Sequence, residues 1–380
     1  MALVFEIPEE PNIVVTGLLV VVLLLVLVLP FRLKIVEKNL EAFFFVMGSI
    51  SAGTVGILGL LDASEMVALL KLAALSPLTV GGRPIGITQV VLIAGLLFHL
   101  LGERIYVGIQ RLFLKLGPLP FAFVVVAAFG LASSIISVIV ASVVLSEILL
   151  ALPVGRKLKV ELAVAAAFAL GMGAALTPVG EPLATIAVSK LSGEPYYASF
   201  DFLARTLGHL IVPGVLVLAC YAGFKLRRYY TRIGILGLEQ EGGPGSPEVY
   251  PLSHAFSRAF KVYLFVFALE MLGASFTPLV YWYLSKAPSW LLYWINTVSA
   301  VLDNATLTAA EVAPVLTIEQ IKSILVSLLI SGGMLIPGNI PNIIMAGRLE
   351  ISSKEWARVG APLGVVLLAS YFVLVEVIGL

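Results

Sequence analysis

Long runs of apolar residues, separated by short polar stretches, dominate this sequence. A membrane-spanning helix needs about 20 mostly apolar residues, because the hydrocarbon layer of a bilayer is about 30 Å thick. Uninterrupted runs predict six membrane helices, near residues 13–30, 41–60, 86–101, 203–223, 255–279 and 358–379. We interpret the first run as a membrane helix and not as a cleaved signal, because no basic segment precedes it.

Four other apolar stretches are interrupted by residues that disfavour a continuous helix. Serine clusters or an Asp-Asn pair interrupt residues 118–151 and 287–315, and Gly and Pro interrupt residues 160–191 and 320–350. At membrane depth, backbone outside a helix is tolerated only within the protein or beside water. Interruptions at matching positions of two halves are typical of transporter binding sites. We therefore predict two re-entrant hairpins and two broken helices.

The two halves of the chain have the same order of elements. Both contain the pattern Gly-x-x-Leu-x-Pro-x-x-x-Pro, which begins at Gly173 and again at Gly332. This order predicts an all-α polytopic membrane protein with an inverted repeat. Residues 103–116, in the first repeat, are expected to form an amphipathic surface helix. The predicted parts are two membrane helices with an outer loop (1–85), repeat one (86–224), a cytoplasmic linker (225–253) and repeat two (254–380).

Basic residues favour one threading of these elements through the membrane. With the N-terminus outside, most of the 24 Lys and Arg residues fall on the cytoplasmic side, as the positive-inside rule requires. The C-terminus is then also outside, and the two hairpins enter from opposite faces. Two glutamates, Glu147 and Glu311, are expected near the hairpin ends, either at the membrane interface or paired with a base.

Composition excludes several classes of protein. Hydrophobic residues form 60% of the chain and charged residues 12%, a balance that no soluble domain shows. The net charge of +1 argues against nucleic acid as a partner, and the single Cys220 leaves no disulfide framework. No nucleophile–base pair, metal-ligand cluster or phosphate-binding loop is recognisable, so we expect neither an enzyme nor a bound cofactor.

Asp303 is the strongest candidate for chemistry, because it lies in an apolar stretch at predicted membrane depth. A carboxylate there costs about 3 kcal/mol or more, so a chain retains one mainly to bind or move something. Asp303, Asn304 and Thr306 would offer oxygen ligands to sodium, and Asp303 can hold a proton instead. The structural alternative is that the Asp-Asn pair has no ion-binding role and only caps a hairpin turn by hydrogen bonds to its backbone.

Three more clusters extend this candidate site. Proline pairs, at Pro178 and Pro182 and at Pro337 and Pro341, free backbone carbonyls in the broken helices. Each cluster has a plain structural alternative: a Pro-kinked helix, capped half-helices, or serines that bond back to their own helix. The predicted ligands around the prolines and at the tip of the first hairpin are Thr177, Gly180, Glu181, Asn339, Asn342, Ser134 and Ser137.

The segment from Ser299 to Ala305, which reads Ser-Ala-Val-Leu-Asp-Asn-Ala, resembles the Ser-x-x-x-Asp-Asn hairpin of arsenite permease-like sodium/proton antiporters. Residues 173–182 and 332–342 are similar to the unwound-helix motifs of the same ion transporter superfamily, which also includes divalent anion/sodium symporters. Over residues 86–380 the chain looks most like a group of predicted cation transporters. The resemblance implies an inverted-repeat fold with two re-entrant hairpins, and usually a homodimer. The paired Ser-Asn-Thr triplets of the anion symporters are missing, which argues against dicarboxylate transport.

The sequence therefore predicts a secondary active cation transporter of the plasma membrane, with sodium/proton antiport at Asp303 as the first interpretation. A sodium-coupled carrier of dicarboxylates or oxyanions with the same fold is the main alternative. A membrane scaffold or an intramembrane enzyme is a further one. The expected partners are an inorganic cation, the proton, the lipid bilayer and a second copy of the chain.

Overall fold

The computed structural model describes residues 7–79, 86–233, 252–284, 287–302 and 304–380, and the regular structure in these ranges is helical. The first half of the chain contains α1 (Ile13–Arg32), α2 (Lys34–Lys38), α3 (Leu40–Ile57), α4 (Ala63–Leu75), α5 (Ile87–Leu116), α6 (Pro118–Ile136), α7 (Val138–Ala151), α8 (Arg156–Ala174), α9 (Pro182–Lys190) and α10 (Phe202–Ile233). The second half contains α11 (Leu252–Leu279), α12 (Ser289–Ile295), α13 (Asn304–Glu311), α14 (Ile318–Gly332), α15 (Ile340–Arg348) and α16 (Ser353–Phe372). Short π-helical segments, Val280–Leu284 and Val373–Val377, extend α11 and α16, and 3-10 turns cover Ser76–Leu78, Asn296–Ala300 and Ile336–Gly338.

Six helical segments in the described ranges are long and apolar enough to cross a membrane. All but Pro118–Ile136 coincide with predicted spans. Large apolar side chains such as Val217 and Val366 are exposed on them, which suits contact with lipid rather than with water. The chain is therefore an all-α polytopic membrane protein. The six segments are Ile13–Pro30, Leu40–Ile57, Pro118–Ile136, Phe202–Arg232, Ala255–Tyr283 and Ser353–Val377.

The structure of α5 differs from the prediction, which divided it into a membrane helix at 86–101 and a surface helix at 103–116. The structure has one continuous helix of 30 residues. A glycine such as Gly102 inside a helix costs about 1 kcal/mol relative to alanine, which is too little to end a helix that continues favourably on both sides. The polar residues after Gly102 therefore follow within the same helix.

The stretch between α3 and α5, predicted as an outer loop, contains a capped helix. The Asp62 carboxylate accepts from the amide of Glu65 at 2.7 Å, and the Glu65 side chain accepts from the amide of Asp62 at 2.8 Å. α4 then packs along α11, where the Tyr263 hydroxyl donates to the carbonyl of Ala74. α3 packs along the same helix, so the N-terminal helices are attached to the second half of the chain.

The helices α6 and α7 form a hairpin that packs on α8. The single residue Ser137 joins them, and the tip lies where α8 has ended, since the amide of Val138 donates to the carbonyl of Gly180 at 2.9 Å. The far end of α7 lies beside the start of α8, since Lys159 donates to the carbonyl of Leu150 at 3.5 Å. α7 therefore runs antiparallel to α8 and carries the chain away from the hairpin tip.

A second hairpin, formed by α12, the turn Asn296–Ala300 and α13, packs on α14. Asn304, the first residue of α13, lies against Gly332 at the end of α14. The amide nitrogen of Asn296 donates both to Glu311, the last residue of α13, and to the hydroxyl of Ser327. Ser327 lies earlier in α14 than Gly332. α13 therefore runs antiparallel to α14, as α7 does to α8.

Candidate functional site

The first interruption separates α8, which ends at Ala174, from α9, which begins at Pro182. The Thr177 hydroxyl donates to the carbonyl of Ser134 at the hairpin tip, at 2.5 Å. Proline is favoured in the first turn of a helix, where its missing amide hydrogen has no helical acceptor. Glu181 immediately precedes α9 and is 5% exposed. The interruption thus brings the Thr177 hydroxyl and a buried carboxyl group to the end of α8, while the carbonyls of Thr177, Pro178 and Gly180 accept hydrogen bonds.

Close approach of backbone segments requires glycine at two positions here. A Cβ atom on Gly180 would lie 1.9 Å from the carbonyl oxygen of Ala174, and one on Gly173 would lie 1.8 Å from that of Gly130. Any larger residue would have to push these segments apart, because backbone atoms cannot yield as a flexible side chain does. At the hairpin tip, Ser137 has a φ of 73°, a strained conformation for a residue other than glycine.

The second interruption separates α14 from α15 and carries side-chain amides. Asn342 donates to the carbonyls of Gly332 and Leu335, both at 2.7 Å. Its amide replaces helical donors that are missing at the end of α14. Asn339 precedes α15, and its Oδ1 accepts from the amide of Ile340 at 2.8 Å. Asn342 is fully buried and Asn339 is 8% exposed, so this is a polar pocket inside the protein.

Asn304 connects the tip of the second hairpin to this interruption. Its side chain contacts the hydroxyl of Ser299, and its amide nitrogen is placed to donate to the carbonyls of Gly338 and Leu328, each 3.2 Å away. Asn304 is 4% exposed and Ser299 is fully buried. These contacts hold the hairpin tip against the turn Ile336–Gly338.

The two interruptions lie close to one another. A Cβ atom on Gly171, near the end of α8, would lie 2.5 Å from Nδ2 of Asn339. Gly333, just after α14, packs against the Phe168 ring of α8 in the same close way. The ends of α8 and α14 therefore meet in the buried interior, with Asn339 between them.

The predicted site residues fall into three groups. Asp303 lies outside the described residues, as does the side chain of Thr306, whose backbone belongs to α13. Thr177, Pro178, Gly180, Glu181 and Pro182 lie at the first interruption, with Ser134 and Ser137 at the adjoining hairpin tip. Asn304, Pro337, Asn339, Pro341 and Asn342 lie at the second interruption.

The hydroxyl of Ser134 bonds within its own helix. It donates to the carbonyl of Leu131 at 2.7 Å, which is the back-bonding that serine often shows in membrane helices. The Ser137 oxygen instead accepts from the amide of Ile139 at 3.4 Å, at the start of α7. Ser134 therefore shows the bond of the structural alternative, whereas Ser137 caps the start of α7.

Glu147 and Glu311 have different surroundings. Glu147 pairs with Arg348, whose Nη2 donates to Oε2 at 2.7 Å, so its predicted pairing with a base is confirmed. Glu311 is 6% exposed and accepts from the amide of Asn296 at 3.1 Å. The sequence predicts Glu311 at the membrane interface or paired with a base, whereas its hydrogen-bond partner among the described residues is the amide of Asn296. The signal that could have found it is that Asn296 and Glu311 are both polar within one apolar stretch.

A cavity of about 460 Å³ leads from the surface to the second interruption. It lies between α3, α11 and α15, and it reaches Ile336 in the turn Ile336–Gly338. Lys261 and Glu41 line it and form an ion pair at 3.2 Å. Because the cavity is lined partly by charged groups, it offers water and ions a route toward the buried amides.

Comparison with known proteins identifies one family. The family model described as "Protein of unknown function (DUF1646)" matches residues 16–378. No curated protein sequence matches the chain. The matched residues include both hairpins and both interruptions. The chain therefore belongs to the DUF1646 family, whose function is unknown.

Proposed function

We propose that this protein is a secondary active transporter that exchanges a monovalent cation, most readily sodium, for protons. The second interruption supports this best, because it is a buried pocket of amide and hydroxyl groups with a carboxylate next to it in the chain. Asn304 lies in this pocket, and Asp303 precedes it, so a peptide bond keeps the two Cα atoms about 3.8 Å apart. Carboxylate, amide and hydroxyl oxygens are ligands that suit a hard cation.

A carboxylate in such a place binds either the cation or a proton, because the two positive charges compete for one group. This competition couples the release of protons to the binding of sodium. Burial strengthens the competition. An isolated negative charge in an apolar interior is costly, so the carboxylate must be neutralised by one of the two cations. Thr177 and the backbone carbonyls of the first interruption would complete the ligands, and Glu181 would supply a second titrating group.

We further propose that the fold is an inverted repeat with two re-entrant hairpins. α9 packs against α13 and α15 packs against α7, so each second half-helix contacts the hairpin of the other half of the chain. The hairpins open toward opposite ends: the base of the first meets the end of α15 through Glu147 and Arg348. The base of the second meets the loop after α9, where Tyr196 donates to the carbonyl of Leu316. Alternating access of this kind of fold moves one repeat against the other around a fixed site.

The proposed transporter lies in the plasma membrane as a homodimer, with both chain termini outside. Arg348 and Glu147 then lie at the cytoplasmic end, and so does the cavity beside Lys261. This placement keeps most basic residues inside. The cavity would bring the cation from the cytoplasm to the turn at Ile336.

Cysteine labelling tests the sidedness. Ala2→Cys and Gly243→Cys, each in a chain that lacks Cys220, are expected to react with a membrane-impermeant maleimide from opposite sides of the membrane. Reaction of both positions from the same side would exclude the topology proposed here. It would also exclude the proposal that the two hairpins enter the membrane from opposite faces.

A sodium-coupled anion carrier of the same fold is the second candidate. α9 and α15 each begin at an interruption, so the positive ends of their helix dipoles point toward it. Anions bind readily at such helix N-termini. Asp303 and Glu181 would repel an anion unless both were neutralised, so cation exchange has the better support.

Flux through proteoliposomes tests the function. Protein would be reconstituted with a pH-sensitive dye inside, and sodium, potassium, lithium and then anions would be added outside in turn. The wild type is expected to move protons when a cation is added. Asp303→Asn is expected to abolish exchange while it stays folded, because an amide neither releases a proton nor supplies charge.

Asp62→Asn is the matched control, since Asp62 is exposed and asparagine also caps a helix. This variant is expected to exchange at the wild-type rate. Full sodium-dependent proton flux in folded Asp303→Asn would refute the mechanism. Anion uptake that requires sodium, without sodium-driven proton flux, would favour the carrier alternative.

A further inference from the structure

Glu311 is a buried acid that has no role in the cation–proton exchange proposed for Asp303. It ends α13 and is 6% exposed. Asn296 donates to Oε2 at 3.1 Å, whereas Oε1 has no hydrogen-bond partner in the part of the chain that the structure describes. An ionised carboxylate with so few donors is poorly stabilised in an apolar interior. A proton or a bound cation would stabilise Glu311 in these surroundings.

Glu147, at the corresponding place in the first hairpin, shows how this protein stabilises an acid that is only structural. Its side chain is 9% exposed, and Arg348 donates two N–H groups to it. A guanidinium in this forked geometry keeps a carboxylate ionised. The second hairpin has an amide, Asn296, as the partner of Glu311, and an amide brings no counter-charge.

A line of buried polar groups leads from Glu311 toward the surface. Asn296, which contacts Glu311, also donates to the hydroxyl of Ser327 at 3.0 Å. One turn earlier in α14, Ser323 donates to Glu376 at 2.5 Å. Ser323 and Ser327 are fully buried, and Glu376 is partly exposed near the end of the chain. These groups line the way between Glu311 and the end of the molecule where the second hairpin opens, with a gap at Ser327, which donates to the carbonyl of Ile324 and not to Ser323.

We propose that Glu311 is a second proton-binding carboxyl group of the transport site, and that it releases its proton to water when a cation binds beside Asn304. This inference rests on the proposed cation–proton exchange and adds a residue to it. Asp303 exchanges its own proton for the cation, so the proton from Glu311 is a second one and two protons leave as one cation enters. Asn296 connects the two positions, because it begins the turn in which Ser299 contacts Asn304.

Glu311 and the hairpin tip do not share one ion, since the helix rises about 10 Å over the seven residue steps from Asn304 to Glu311. Their coupling acts through charge and through the turn Asn296–Ala300. The elements packed against α13 are α9, α11 with its π-helical end, and α14. The charged and titratable side chains described on them are Lys190, Lys261, Tyr263, Glu270, Tyr281, Tyr283, Glu319 and Lys322.

Labelling with dicyclohexylcarbodiimide tests the proton on Glu311 without a substitution. This apolar reagent modifies protonated carboxyl groups, and mass spectrometry of peptides locates the adduct. Glu311 is expected to be labelled in the wild type. Sodium is expected to slow the labelling, because loss of the proton removes the form of Glu311 that the reagent modifies. Glu147 is the internal control and should stay unlabelled, because Arg348 keeps it ionised.

Exchange in proteoliposomes supplies the second measurement. Glu311→Gln is expected to slow sodium-dependent proton flux about a hundredfold, the low end of what a positioned proton-transfer group contributes. Glu311→Asp keeps an acid and is expected to retain exchange with a shifted pH midpoint. Glu319→Gln makes the same chemical change at an exposed site on α14 and should alter neither rate nor pH profile.

Three results would overturn the assignment: no labelling of Glu311, labelling that sodium does not slow, or wild-type flux and pH profile in Glu311→Gln. These results leave the proposed function intact as long as the wild type exchanges and Asp303→Asn does not. If the wild type exchanges no cation, the proposed function fails. The labelling experiment then decides by itself whether sodium releases the proton from Glu311.

Discussion

A buried ion pair between the two halves of the chain allows a direct test of how they pack. Arg348, at the end of α15, donates to Glu147 of α7, and the two side chains are 12% and 9% exposed. We expect Glu147→Gln to destabilise the protein, because glutamine keeps the shape of the side chain but leaves the guanidinium of Arg348 buried without this counter-charge.

The size of the effect follows from the burial and the short separation. At about 3 Å and an effective dielectric constant of about 20, two unit charges attract by about 5 kcal/mol, which offsets the cost of removing them from water. Removal of one partner from a buried pair costs about 3–5 kcal/mol. With an unfolding entropy of about 2 cal/mol/K per residue over 380 residues, that cost lowers Tm by about 4–6 °C.

Thermal unfolding of the purified protein in detergent, followed by circular dichroism, measures this shift. A double-mutant cycle of Glu147→Leu and Arg348→Met isolates the pair from the single side chains. The double variant is expected to regain most of the lost Tm, because apolar residues replace a buried pair at little cost. Asp201→Asn is the matched control, since it breaks a pair with Arg205 whose side chains are 56% and 69% exposed.

Equal Tm values for Glu147→Gln and Asp201→Asn would refute the reasoning. A double variant that is less stable than both single variants would refute it as well. Either result would mean that α7 and α15 do not bury a charge pair between them. One of the two contacts that support opposite orientation of the hairpins would then be lost.

Two further predictions concern a close backbone contact and the response to pH. Gly173→Ala is expected to cost about 1–3 kcal/mol and lower Tm, because its Cβ would lie 1.8 Å from a backbone oxygen. Gly208→Ala in α10 has open space around it and should not lower Tm; equal losses in both variants would contradict this. The amide of Glu65 and the hydroxyl of Ser64 hold the pKa of Asp62 below its ordinary value. The cap therefore stabilises α4 at any pH above the pKa of Asp62 in the unfolded chain. This stabilisation is lost as the pH falls through the pKa of Asp62 in the folded protein. Hydrogen-exchange protection of α4 should therefore fall on acidification in the wild type and not in Asp62→Asn, and a pH-independent wild type would contradict the cap.

The interruptions could be predicted from the sequence because their causes are local. Proline removes an amide hydrogen wherever it lies, and a nearby glycine lets two backbone segments approach. In the structure, residues 175–181 and 333–339 separate helices within the predicted broken segments. The spans near 13–30 and 255–279 follow in the same way from the length of their apolar runs.

The surroundings of Glu311 could not be predicted from local pattern, because contacts far along the chain create them. Its amide partner Asn296 is 15 residues away in the sequence. Ser327, which accepts from the same amide, is 31 residues from Asn296. Serines spaced four apart in α14, at Ser323, Ser327 and Ser331, are the remaining signal. They indicate a polar helix face, but not which acid it meets.

The two hairpins each pack on the helix that follows them but differ in charge, and this difference supports the proposal that ion chemistry belongs to the second hairpin. An ion pair such as Glu147 with Arg348 resists a change of protonation, because loss of either charge leaves the other buried. A carboxyl group with an amide partner, as Glu311 has in Asn296, gains or loses a proton without breaking a charge pair. A cation that arrives beside Asn304 therefore finds no fixed positive charge among the described contacts of Asn304 and Glu311. The first hairpin would then support the structure, and the second would bind and release the ions.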